Sequence, residues 1–435
     1  MVCLEWWAHP GGGSVVPCRS EQNRAVAQRK LPLAGERGCL AERRRSVRWT
    51  LMVVSLLLTA GCAVGSSDGS KSPAASAPTD AQEGGEWVRL PDGPLSPREG
   101  SSAAYVGGEV LIVGGYSGPP CPPGADCPMP PEAVERDGAA YDLDTGTWRS
   151  ITSAPRPVPP WASTAAVGDR LYVLAGDSLL AWDSGEDSWE EVSTPEDPSW
   201  SYLVVDGTRL VLASGSDETG VRPDHVYDTS TGAWSILPQD PLKPSWGRAL
   251  ISTSHGLVLT AKSIRPDGGP ADPALVLAAV LPPAGDAWRP LPVMDQLGGR
   301  WTWTGQRLVD PTLGGADGGQ VNNYGRVIPF GGRLDPATGD WSPLPDAPSE
   351  GSGGWSVDAL DGPRIAAGGW LYDDSNGSWA LLPRPHGAPA DPGPSVWADD
   401  VLVVYGGADW DPPDAHGQLD PESVWSTSAW AYRVL

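Results

Sequence analysis

Phenylalanine is almost missing from this chain: 435 residues hold 1 Phe, against 22 Trp and 10 Tyr. A core must therefore be built on Trp, Val, Leu and Ala. Positive charge is also scarce. The 54 acidic residues outnumber 30 basic ones, for a net charge of −24. This excludes the broad basic patches that nucleic acid binding requires, and with them general adsorption to anionic lipid. Such acidity keeps a surface protein soluble and identifies no partner. The apolar run "TLMVVSLLLTAGC", Thr50 to Cys62, is too short to span a bilayer comfortably. No nucleophile elbow, phosphate loop or zinc signature occurs. What the chain does have is Gly (55) and Pro (47), the residues of turns.

The apolar run follows "ERRRSVRW" (Glu42 to Trp49). A basic segment, a short apolar segment and small residues before a cleavage point make an export signal. The ending "TAGC" resembles a bacterial lipobox, which implies cleavage before Cys62 and lipidation of its thiol. Thr59 stands where that motif more often has Leu, and the other reading is an ordinary signal peptide with an incidental Cys. Residues 63 to 85 are small, polar and Pro-containing, a flexible tether with an r.m.s. reach of about 25 Å. The expected organisation is an upstream segment with signal peptide (1–61, apolar region 50–59), a lipidated Cys62 with its linker (62–85), and a repeat domain (86–435). The expected location is the outer face of a cell membrane, with the lipid as the sole membrane contact.

Of the 6 Cys, Cys3, Cys18 and Cys39 precede the cleavage point. In an exported chain Cys121 and Cys127 are expected to form a disulfide closing "CPPGADC". So short a loop contributes about 2 kcal/mol at most. Two thiolates with no nearby His make only half a zinc site.

One phrase recurs: "YDLDTGTW" from Tyr141, "YDTSTGAW" from Tyr227, "LDPATGDW" from Leu334 and "YDDSNGSW" from Tyr372. Its Trp is found at Trp148, Trp189, Trp234, Trp288, Trp341 and Trp379, at intervals of 38 to 54 residues. Apolar runs closing on small residues alternate with these Trp, such as "EVLIVGG" (Glu109) and "DVLVVYGG" (Asp400). There are seven runs and six following Trp, and the missing one stands at the start, in "EWVRLP" from Glu86. The first strand of the domain therefore completes the last unit, which closes a ring and removes a free sheet edge. The fold expected is all-β, a seven-bladed β-propeller of four-stranded antiparallel blades. Within the phrase, Asp228 accepts turn amides and Gly232 supplies a positive φ, while Trp234 packs between blades. The phrase reads as architecture.

A strand ending in Gly-Gly, then Tyr, then Trp six or seven residues on, resembles the kelch repeat, shared with galactose oxidase-like central domains. Quinoprotein and sialidase repeats match less well. The kelch resemblance covers nearly all of Trp87 to Leu435, is degenerate where "TAK" replaces the glycines, and implies an architecture with no single activity. A copper-radical site does not carry over: the mature chain has His225, His255, His386 and His416, no Tyr-His pair and no spare Cys. No motif of the kelch-type sialic-acid mutarotases transfers either. No cofactor is expected.

A second Trp series marks the approach to the inner strands. Trp161, Trp200, Trp246, Trp301 and Trp355 each stand 14 to 16 residues before the end of an apolar run, near Arg98, Lys243, Arg248 and Arg300. Indoles stack on sugars and cations bind carboxylates. The candidate ligand-binding set is Arg98, Trp161, Trp200, Trp246, Arg248, Arg300, Trp301 and Trp355, an aromatic, partly basic channel mouth for an acidic glycan or a peptide. The alternative is that these Trp plug the channel or pack between blades. The Pro-rich loop Tyr116 to Gly138 reads as a partner-recognition loop or a cover. The acidic loop 408–423, with Asp409, Asp411, Asp414, His416, Asp420 and Glu422, has oxygen ligands for Ca²⁺ but no recognised pattern, and reads as solvated; no metal is expected. The function expected is a monomeric binding module for a glycan or protein. The alternative is a carbohydrate-active enzyme, a mutarotase, lyase or hydrolase, on the same scaffold.

Overall fold

The computed structural model describes residues 85–434 apart from 122–124, 126, 265–273, 314–329, 346–347, 349–352 and 411–423. The expectations for the signal peptide, Cys62 and most of the acidic loop lie outside the described residues. The rest is seven antiparallel sheets. Blade 1 runs in chain order from the channel outward, Ser102–Val106, Glu109–Val113, Gly138–Asp142 and Thr147–Ile151. Blades 2 to 5 repeat this order, with inner strands Thr164–Val167, Ser201–Asp206, Ser245–Thr253 and Thr302–Trp303. Blade 7 is closed as expected: Gly85–Leu90 pairs with Trp425–Val434, Trp87 opposite Tyr432. It also carries a short additional strand, Asp391–Pro392, against Val401–Ala408.

Blade 6 departs from the four-stranded plan. Its inner edge is reduced to one bridge, Ala359 to Ala366. Ahead of it the Val357 amide donates to the Trp355 carbonyl at 2.7 Å, and this tight turn shortens the strand.

Seven apolar clusters lie between successive blades and complete the ring. Leu111, Val173 and Trp182 belong to the cluster between blades 1 and 2, and Tyr141, Val403 and Tyr405 to the one between blades 7 and 1. The remaining five interfaces have their own clusters. Each marker Trp joins the cluster facing the preceding blade. Six of them also donate Nε1–H to a main-chain carbonyl just past the outer strand of that blade. Trp148 reaches Pro91 O at 2.8 Å, Trp189 Thr152 O at 2.7 Å, and Trp234 Ser193 O at 2.8 Å. Trp288 reaches Pro238 O at 2.7 Å, Trp341 Pro292 O at 3.0 Å, and Trp379 Pro345 O at 2.8 Å. The seventh, Trp87, has a buried Nε1 without a partner. Its ring stands edge-on to Trp355 with centroids 5.1 Å apart.

The repeated phrase is a turn, as its chemistry predicts. Asp228 Oδ1 accepts from the amides of Ser230 (2.9 Å) and Thr231 (3.1 Å), and Gly232 adopts φ +71°. Tyr227 and Trp234 then face each other across the hairpin, 4.9 Å between rings.

A four-stranded meander sends its first and third connections to one end. Its second connection and the crossover to the next blade emerge at the other. Tight turns such as 107–108 and 229–232 therefore gather on one face of the ring. The long described spans lie on the opposite face, in 114–137 of blade 1 and 215–224 of blade 3. Blades 2 and 6 are the exceptions, with only Gly176 and Asp177, and Gly368 and Gly369, between their second and third strands.

If the indole–carbonyl bonds stabilise the ring, Trp234→Phe lowers unfolding free energy by roughly 1 kcal/mol more than Trp87→Phe. Denaturant titration of the two variants checks this, and equal losses would show that the bonds contribute nothing.

Candidate functional site

The second Trp series lies where the sequence places it, at crossovers on the long-loop face, but its five members differ. Trp161 is 41% exposed and Trp200 64% exposed. Trp161 holds a left-handed backbone, φ +56°, a conformation that side chains other than Gly rarely adopt. Its amide donates to Gly100 O at 2.7 Å, and its ring lies so close that a Cβ on Gly100 would come within 3.1 Å of Cε2. Trp246 is half-buried, with the Lys262 ammonium 5.1 Å from its ring centroid.

Trp301 and Trp355 are buried, so the equal ring of five indoles is not formed. Trp301 packs edge-on to Trp341, centroids 5.5 Å apart. Trp355 donates Nε1–H to Pro389 O at 3.0 Å. The cause is local. A Gly pair precedes each of these two Trp, whereas Pro160 precedes Trp161 and Pro-Ser precedes both Trp200 and Trp246. A Cβ on Gly354 would meet Leu382 O at 2.0 Å, so only Gly lets the chain lie that close. Ahead of Trp301, the buried Asp310 carboxylate accepts the amides of Gly299 and Arg300 and draws the crossover inward. The "GG" before the Trp was the signal available in sequence.

The expected basic character is largely neutralised from within. Arg98 is buried. Its guanidinium donates to Asp137 Oδ1 at 2.5 Å, Asp137 Oδ2 at 3.2 Å, Ser96 Oγ at 2.7 Å, Ser96 O at 3.0 Å and Gly114 O at 3.3 Å. Arg248 is buried among three carboxylates: Asp240 and Asp224 each at 3.1 Å, and Asp217 at 3.5 Å. Its Nε donates to Ser214 O at 3.1 Å. Burial outweighs the attraction of Arg248 and holds the Asp224 carboxyl above the usual carboxylate range. Arg300 is exposed and pairs with Asp358 at 3.2 Å, and Lys243 is exposed as well. The buried guanidiniums of Arg98 and Arg248 tie crossovers to loops and are not available to an anionic ligand.

Sequence reasoning missed Glu99. Its backbone bridges Tyr116 in both directions at 2.9 Å, extending the blade 1 pairing towards the long-loop face. Its Oε1 is buried with no hydrogen-bond partner. Desolvation pushes the carboxyl up to about 7. The neighbouring Tyr116 hydroxyl is raised by burial first and by Glu99 second. A lone Glu beside a buried Arg carries no sequence pattern that reveals this.

Cys121 and Cys127 are joined by the expected disulfide, Cα atoms 5.7 Å apart. Of the acidic loop, Asp409 is described. It accepts the Ala390 amide at 2.7 Å and lies 3.6 Å from Arg384.

No family model matches the chain. It is 28% identical to the mouse Kelch-like protein 21 over 114 residues, 24% of this chain and 19% of that protein. The rat protein of the same name is 27% identical over 119 residues, with the same coverage. It is 26% identical to the Kelch-like protein terF of Aspergillus terreus over 189 residues, 36% of this chain and 38% of that protein. The chain thus spans well under two thirds of these relatives. The similarity and the seven blades together support a kelch-repeat propeller.

Two outcomes are expected. Arg248→Met strands three buried carboxylates and costs about 3–5 kcal/mol in denaturant unfolding; a neutral effect would return Arg248 to the ligand-binding candidates. Glu99 favours folding fully below its unfolded value of 4.5, and that contribution is lost as pH rises to about 7. Glu99→Gln therefore raises the melting temperature at pH 8 and leaves it unchanged near pH 4, whereas a pH-independent shift would contradict the buried, unpartnered carboxyl.

Proposed function

We propose that this chain is an extracytoplasmic interaction module, held to a membrane by a lipid on Cys62, that binds a protein partner through the long-loop face. One observation carries the reading. The ring's variable spans and its exposed indoles, Trp161 and Trp200, share one face, while the other is occupied by tight Asp- and Gly-based turns. Loops of unequal length on a rigid scaffold are the usual seat of binding. The similarity to kelch-like proteins agrees, since a kelch-repeat propeller is typically a protein-interaction module. The tether rests on the "TAGC" that ends the apolar run.

Glycan binding is the second reading, favoured by the same two indoles, whose faces suit sugar rings. A carbohydrate-active enzyme would need a second carboxyl opposed to Glu99.

A photo-crosslinking residue placed at Thr219, on the long-loop face, is expected to trap discrete protein adducts in cells. The same residue at Ser230, on the turn face, is expected to trap none. Adducts from Ser230 alone would overturn the choice of face. Cys62→Ser should release the chain from the membrane fraction and abolish labelling with a fatty-acid analogue; retention of both would remove the tether.

A further inference from the structure

The long-loop face is uneven: blades 2 and 6 both have a two-residue second connection, but Trp355 of blade 6 is buried, so blade 2 alone joins a short connection to exposed indoles. Blade 2 has only Gly176 and Asp177 between its second and third strands, so its own connection adds no overhang. On one side stands the blade 1 span 114–137, stapled by Cys121–Cys127. On the other stands the blade 3 span 215–224. The crossovers into blades 2 and 3 present Trp161 and Trp200, the two exposed members of the Trp series. The flanking spans add the exposed apolar side chains Met129 and Val221. The corresponding Trp of blades 5 and 6 are buried, and that of blade 4 carries a Lys262 ammonium on its ring.

The charge around this depression has one dominant sign. Glu132 and Glu218 are exposed on the flanking spans, and Glu196 and Asp197 on the crossover into blade 3, against an exposed Arg136 and a half-buried Arg222. On blade 2 itself Arg156 is already matched by Glu191 at 3.1 Å and Asp177 at 3.8 Å. Beside Trp161, where its ring covers Gly100, the preceding residue Glu99 holds a buried carboxylate oxygen with no donor. The two Arg that would attract an anion, Arg98 and Arg248, are saturated by aspartates.

We propose that the low face of blade 2 receives an extended segment of a partner protein that presents a Lys or Arg side chain between apolar ones. The inference rests on the interaction-module reading and adds the place and the chemistry. The indoles take the cation on their faces and the apolar neighbours at their edges. The surrounding carboxylates steer a basic segment toward the depression and repel an acidic one.

The test is to pan a random peptide-display library on the full chain, and on the Trp161→Ala/Trp200→Ala variant, whose replaced side chains are exposed. Enriched sequences are then synthesised and measured by fluorescence anisotropy. Expected are peptides with Lys or Arg beside an aliphatic or aromatic residue, bound about tenfold more weakly by the double variant. Binding should also weaken as salt is raised and vanish when the basic residue is replaced by Glu. Enrichment of acidic or uncharged peptides, or equal retention by the double variant, overturns this inference and leaves the interaction module standing. Failure to recover any peptide, with glycan binding that the double variant loses, makes the occupant a sugar and overturns it as well. No peptide, no glycan and no crosslinked adduct would remove the module reading itself.

Discussion

The interaction on which this ring depends is a hydrogen bond from an indole to a carbonyl of the blade before it. A blade is a small sheet with two apolar faces, and it is stable only when both are covered. The marker Trp covers one face, and its Nε1–H fixes how the two blades sit against each other, because a directional bond constrains what apolar contact alone leaves loose. Six of the seven interfaces use it. The seventh, between blades 6 and 7, lacks it and relies on edge-on packing of Trp87, in the closing strand Gly85–Leu90, with Trp355. The burial of Trp355 is thus a consequence of how the ring closes. An indole that the sequence places at the mouth is required between blades 6 and 7.

This division of labour among Trp residues explains why part of the molecule was legible from sequence and part was not. The blade repeat rests on local chemistry. An Asp that accepts turn amides, a Gly with positive φ, and a Trp at fixed distance are written consecutively, as in Asp228, Gly232 and Trp234, so counting them yields the blade number and the closing strand at Trp87. The long-loop face depends on contacts remote in sequence. Arg98 is neutralised by Asp137, and Arg248 by Asp217 and Asp224, residues that no spacing rule connects. Glu99 is distinguished by what it lacks, a donor for Oε1, and an absence in space has no sequence counterpart. Trp301 and Trp355 fall between these cases, because the Gly pairs ahead of them are visible in sequence and become meaningful only beside Leu382 and Asp310.

The saturation of the two buried Arg bears on the sign of any ligand. A guanidinium in the interior stabilises a structure only when carboxylates or carbonyls meet its donors, and a group so engaged cannot also serve as a receptor for an outside anion. Arg248 has more negative charge around it than it can neutralise, and Asp224 resists ionisation despite its proximity, chiefly because it is buried and further because Asp240 and Asp217 stand beside it. The crossover region around blades 3 and 4 therefore leans anionic inside as well as out. The overall charge of −24 points the same way. Acidity that by itself identifies no partner gains meaning once the local cations are accounted for, because the exposed indoles on that face are left surrounded by carboxylates. An indole in such surroundings favours cations over anions twice, through its own quadrupole and through its neighbours.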